Sequence, residues 1–223
     1  MEEKINLEFK IPKDELQERV SNYLSSLDDY GTIIPLKSIF KIDFIMAMPI
    51  EELKSLLRNI PLLGDADSKS YEKSDFKFFR LDPGSSRMVQ TFILEEKLLN
   101  FQTDFSNLYR GFCFPGLSKM TSHYVMGRNS ELEKVTGIYV PPIVEYRKEE
   151  GSVLIDGTHR GTIVHEAGTT IEVIEIINPS LPLPYDSIEW HKNIVKVKPP
   201  IEERFKNLNR KYFKDFGYVG IDG

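Results

Sequence analysis

Apolar residues recur at the spacing of one helical face twice in the first third of the chain. Residues 13–27 align Leu16, Val20, Tyr23, Leu24 and Leu27, and Pro49 is followed by Ile50, Leu53, Leu56, Leu57 and Ile60, so two helices are predicted. In the second, Glu51 and Glu52 fall in the first turn, where the helix dipole favours negative charge, and Pro61 should end it. The stretch 64–75, GDADSKSYEKSD, is polar and rich in turn formers, which predicts a linker and a domain boundary. A strand at 76–81 and a DPGSS turn at 82–86 should follow it. Residues 91–105 offer Leu94, Leu98, Leu99 and Phe105 to a further helix. Several glycines and a Phe-Pro-Gly turn at 114–116 make 106–137 a predicted irregular excursion, of the kind that often shapes a site.

From Ile138 the pattern sharpens. IYVPPIVEY is strand-like, RKEEG is a hairpin turn, SVLIDG is a second strand, RGTIVHEAG is a helix closed by Gly168, and IEVIEII is a third strand. Pro141 and Pro142 belong near a strand start or sheet edge, because neither can donate to a ladder. In the tail, Ile201, Phe205, Leu208 and Tyr212 share one face of a predicted terminal helix. The expected class is α+β: a helical N-terminal region over 1–70, a mixed sheet with flanking helices over 76–200, and a C-terminal helix and tail over 201–223.

Charge modifies this picture. The net charge is -5, yet residues 1–75 hold 10 of the 29 Lys and Arg and 15 of the 34 Asp and Glu, leaving 19 of each for the rest. The acidity therefore sits in the N-terminal third, which disfavours phosphate-backbone contact there and suits docking of a protein partner. Residues 189–215 carry 8 basic against 4 acidic residues, and Trp190-His191-Lys192 could stack on nucleic acid, although a solvated face of a packed helix is the preferred expectation. The apolar run 44–50 is too short to span a bilayer and no signal-peptide stretch opens the chain, so a cytoplasmic location without membrane contact is expected. A single cysteine, Cys113, excludes an internal disulfide and a Cys-rich zinc site, and its aromatic neighbours suit a buried thiol.

The candidate chemistry lies in Asp156-Gly157-Thr158-His159-Arg160-Gly161, between a strand and a helix. A phosphate needs convergent donors, and here Gly157 can take positive φ, Thr158 has a hydroxyl, Arg160 has a planar fork, and the N–H groups of 158–161 open a helix. Asp156 could hold magnesium or accept from the turn's own N–H groups. As local sequence alone the same residues also make an ordinary turn, with Thr158 as N-cap and Arg160 paired with Glu145 or Glu166 at the surface. Glu145 is a candidate general base and equally a salt-bridge partner of Arg160. His159 and His165, six residues apart, do not make a zinc pair, and His165 suits the helix end.

The residues Pro142-Ile143-Val144, Leu154-Ile155 and Asp156 to Arg160, within 138–177, resemble the ParB/sulfiredoxin-like superfamily. The resemblance extends back toward Phe76 and does not reach 1–70. It implies a nucleotide-binding domain in which Gly157, Thr158, His159, Arg160 and Gly161 hold the phosphates of ATP, ADP or CTP, and Asp156 helps hold Mg2+. The leading expectation is a phosphotransferase or phosphohydrolase in which Asp156, His159, Arg160 and Glu145, the last from its place on the paired strand, serve catalysis on a small-molecule acceptor or water. A non-enzymatic, nucleotide-gated module associated with DNA or a protein partner is the alternative, and a nuclease ranks last because no carboxylates are spaced for two metals. Thr158 stands where sulfiredoxins carry their cysteine, so sulfur chemistry at this turn is not expected. About 45 residues follow Ile177, interrupted by Pro182, Pro184, Pro199 and Pro200, and do not readily hold the helix-turn-helix of the partitioning proteins.

Overall fold

The computed structural model describes residues 8–20, 27, 29–90, 92–96, 98–99, 122–190, 195–197 and 208–222. Its N-terminal part carries the two expected helices, α1 (Lys13–Arg19), which closes at its C-cap Val20 short of the expected end at 27, and α2 (Ile50–Arg58), among strands β1 (Ile11–Pro12), β2 (Thr32–Ile33), β3 (Lys41–Ala47), β4 (Pro61–Leu62) and β5 (Asp65–Lys69). The region expected to be helical is thus mixed. Helix α2 follows its sequence signals: Pro49 precedes it, Glu51 and Glu52 occupy its first turn, and Leu53, Leu56 and Leu57 are buried.

The remaining strands are β6 (Asp75–Leu81), β7 (Arg87–Met88), β8 (Phe92–Leu94), β9 (His123–Arg128), β10 (Lys134–Tyr139), β11 (Ile143–Arg147), β12 (Gly151–Asp156), β13 (Ile171–Ile177), β14 (Ile188–Glu189) and β15 (Val195–Val197). Helix α3 (Thr158–Glu166) joins β12 to β13. A five-stranded mixed sheet has the order β1-β2-β10-β9-β3, and a six-stranded mixed sheet the order β14-β7-β12-β11-β13-β6. The chain is α+β, and its first three strands share a sheet with β9 and β10.

The stretch read as one strand, IYVPPIVEY, is two. Pro141 and Pro142 separate β10 from β11, which lie in different sheets, since neither proline can supply the N–H that would continue a ladder. Successive residues then point to opposite faces of the six-stranded sheet. Ile143, with Ile174 and Ile176, joins the core shared with α1, α2 and the five-stranded sheet, while Val144, with Leu154 and Val173, joins Val164 of α3 and Trp190. The six-stranded sheet is the middle layer.

Several expectations need correction. The predicted linker at 64–75 contains β5, which pairs with β4, and Tyr71, which is fully buried. Polar composition concealed a single aromatic whose burial ties the segment to the core. The predicted helix at 91–105 opens as β8, paired in parallel with β15, and is helical at 95–96 and 98–99; Leu94 and Leu98 are buried as expected, whereas Leu99 is exposed. Residues 123–128 and 134–137 of the predicted irregular excursion belong to β9 and β10. The described end of the tail forms short 3-10 turns at Arg210–Tyr212 and Gly217–Val219 rather than an α-helix. Trp190 is fully enclosed and offers no ring to nucleic acid. Ile201, Phe205, Phe105, Cys113, His191, Lys192, Tyr23 and Leu24 lie outside the described residues.

Candidate functional site

The strand, turn and helix expected around Asp156 are present. Gly157 is the N-cap of α3 in left-handed conformation, φ 87° and ψ 23°, and a Cβ placed there would lie 2.7 Å from Cβ of Pro142. Both backbone and space therefore require glycine. No side chain caps the first turn of α3, so Thr158 is not the N-cap. Its backbone carbonyl accepts a hydrogen bond from the Thr162 hydroxyl at 2.8 Å. At the far end Gly168, φ 63°, closes a Schellman motif: its N–H donates to the His165 carbonyl and the Thr169 N–H to that of Val164. His165 is exposed in the last turn, edge-on to Trp190.

Arg160 points into the protein. Its Nη2 donates to Asp156 Oδ2 at 2.7 Å, its Nη1 to the Val140 carbonyl, and its guanidinium lies 5.4 Å from the centre of the Tyr139 ring. Burial alone would depress its pKa, and the charge of Asp156, with Tyr139 and Asp222, turns the balance upward. Burial raises the pKa of the Tyr139 phenol against the opposing pull of Arg160. Neither Glu145 nor Glu166 is the partner of Arg160: a carboxylate one helical turn back on the same loop holds it first.

The other candidates are distributed by packing. Nε2 of His159 accepts the Leu94 N–H at 3.2 Å, which ties α3 to β8. A Cβ on Gly161 would stand 2.7 Å from Cη2 of Trp190, so this glycine, expected to bind a cofactor, lets α3 close onto the indole. Glu145 is fully buried with both oxygens engaged. Oε1 accepts from the Tyr71 hydroxyl at 2.7 Å and lies 3.3 Å from Lys214 Nζ, and Oε2 accepts from Arg147 Nε at 2.9 Å. Burial lowers the pKa of Lys214, with Glu145 opposing it, and raises that of Tyr71 well above the ordinary phenol. Sequence reasoning missed this network. The one local signal was the alternation Ile143, Glu145, Arg147, which puts both charged residues on the face of a buried apolar one.

The structure thus brings Asp156, Gly157 and Arg160 together and gives His159, Gly161 and Glu145 separate partners. Among the described residues no three His, Cys, Asp or Glu groups converge as a metal would need, and no helix is long and apolar enough to cross a membrane. An open cleft of about 470 Å³ lies at the opposite end of β12, lined by residues that include Arg87, Arg147, Glu150, Tyr185, Asp186 and Ser187. Searches among protein-family models, curated proteins and solved structures each gave no match to this chain.

Proposed function

We propose that the chain binds the phosphates of a nucleotide, ATP, ADP or CTP, at the turn 157–161, chiefly through the backbone N–H groups of 158–160 since that of Gly161 already donates to the Gly157 carbonyl, and passes a phosphoryl group to a small acceptor or to water. The observation that carries this is Gly157, which leads the chain from β12 into α3 in a left-handed conformation with no side chain capping the first turn. Backbone N–H groups at a helix start, aided by the helix dipole, favour an incoming anion. The resemblance of 138–177 to the ParB/sulfiredoxin-like superfamily supports the same assignment. Phosphoryl transfer asks mainly for placement and charge neutralisation, which a rigid turn supplies. Arg160 is a positioning residue in this scheme: through Asp156 and the Val140 carbonyl it fixes the strand end against the helix start. One carboxylate already paired with a guanidinium does not fit a resident magnesium cage, so magnesium would arrive on the nucleotide phosphates as part of the substrate. Glu145, with both oxygens engaged, receives no proton-transfer role.

Thermal melts with ATP, ADP and CTP, each with and without magnesium, test the proposal. A ligand bound only by the folded state at a hundred times its Kd stabilises by about 2.7 kcal/mol. The expected result is a rise in Tm with one nucleotide, accompanied by shifts of the backbone amides of 158–161. A flat response across the panel, or shifts confined to other residues, overturns it. Analysis of products then separates a phosphotransferase or hydrolase from a nucleotide-gated module, and a melt with duplex DNA tests association with nucleic acid.

A further inference from the structure

The register of the six-stranded sheet places two arginines on one face, on either side of β12. Arg87 of β7 is opposite Val153, and Arg147 of β11 is opposite Gly151, two residues earlier on the same strand. Residues two apart share a face, and strands β7 and β11 are two spacings apart, roughly 10 Å. The side chains flank the cleft of about 470 Å³, within the range of small-molecule sites.

Both guanidiniums are held from behind. Arg87 donates from Nε to the Ser187 hydroxyl at 2.8 Å and from Nη2 to the Ser187 carbonyl. Arg147 donates from Nε and Nη2 to Glu145 and from Nη2 to the Leu181 carbonyl. In each, Nη1 has no protein partner among the described residues. Fixed forks with an unused edge are suited to oxyanions, and little rotamer entropy remains to be lost on binding. Charge agrees on the inner side: the buried Glu145 carboxylate faces two cations, Arg147 and Lys214, while Arg87 hydrogen-bonds the neutral Ser187, with Glu189 opposite it on β14 as a carboxylate that opposes an anion. The acidic groups of the cleft, Glu150 and Asp186, oppose an anion. Glu150 is bonded to the Ser187 hydroxyl, and Asp186 is exposed, where water and salt screen it.

We propose that this cleft is a binding site for a small molecule bearing a phosphate or carboxylate group, received between the Nη1 edges of Arg87 and Arg147. The site is independent of the nucleotide turn: β12 separates the two by about 17 Å, at about 3.3 Å per residue over its length.

The test is titration of the full chain with inorganic phosphate and, separately, with malonate, followed through the Nε–Hε signals of Arg87 and Arg147 and the backbone amides of 158–161. Saturable shifts of the two arginine signals are expected, with phosphate alone, malonate alone or both identifying the oxyanion source. Arg87→Gln should weaken binding at least tenfold, and Asp186→Asn, an exposed change that leaves the fold intact, should tighten it about threefold. Arginine signals that neither phosphate nor malonate moves overturn the proposal. So does binding that neither substitution alters, or binding that shifts only the amides of 158–161, a result that would leave the nucleotide turn standing without this cleft.

Discussion

Asp156 and Arg160 hold each other across the first turn of α3: carboxylate Oδ2 and guanidinium Nη2 are 2.7 Å apart, and both side chains are buried. The guanidinium also serves the Val140 carbonyl, so one residue links the end of β12, the start of α3 and the segment that leaves β10. Arg160→Ala would strand a buried carboxylate and a buried carbonyl. Breaking such a pair from one side costs about 3–5 kcal/mol, and urea unfolding should show a loss of that size. A loss below about 1 kcal/mol, as for an exposed pair, would contradict the buried geometry.

The Glu145 network predicts a graded series. Tyr71→Phe removes one hydrogen bond to a charged acceptor and should cost about 1.5–3 kcal/mol. Lys214→Met removes one of the two cations facing the carboxylate and should cost more than Tyr71→Phe in the same unfolding assay. Tyr71 and Lys214 share Oε1, so the double variant should depart from additivity, and strict additivity would refute a shared partner.

Two glycines of the turn predict different signatures. Gly157→Ala combines left-handed strain with a collision against Pro142 and should cost about 2 kcal/mol or more. Gly161→Ala has no backbone strain but drives a methyl into Trp190, with a cost of about 1–3 kcal/mol and an altered indole fluorescence. Tryptophan emission identical to wild type in the Gly161 variant would remove that contact from the account.

Glu52 on α2 is buried and accepts a hydrogen bond from Tyr124. Burial raises its pKa, with the Tyr124 hydroxyl opposing the rise, and drives the Tyr124 phenol far upward in turn. A raised carboxyl pKa contributes stability that is full below the unfolded value and is lost as pH rises through the folded one. Relative to Glu52→Gln, which keeps an acceptor for Tyr124, wild type should therefore lose stability as pH climbs from the acid side to neutrality. Denaturant midpoints for both proteins across that range check the sign, and a constant difference would contradict it.

The bond from Leu94 N–H to His159 Nε2 predicts a local effect. His159→Ala should accelerate hydrogen exchange at the Leu94 amide by tenfold or more, the equivalent of about 1.4 kcal/mol, while strand β13 keeps its protection. Unchanged exchange at Leu94 would place the imidazole elsewhere.

The amino-acid sequence by itself determined the hairpin, the strand into Asp156, helix α3 and β13, because every signal there is local: short apolar runs in the strands, and Gly151, Gly157 and Gly168 at positive φ bounding the hairpin and the helix. Helix α2 was legible for the same reason. The tertiary structure alone decided what no short window contains. It split β10 from β11 at two prolines, enclosed Tyr71 from a polar stretch, and drew 92–94 into a strand beside β15. It also chose the partners: Arg160 took Asp156, His159 took the Leu94 amide, and Glu145 took Arg147 and Lys214, the latter 69 residues further along the chain. A buried charge must find its complement wherever packing delivers one, and that choice depends on long-range geometry rather than on the neighbours in sequence.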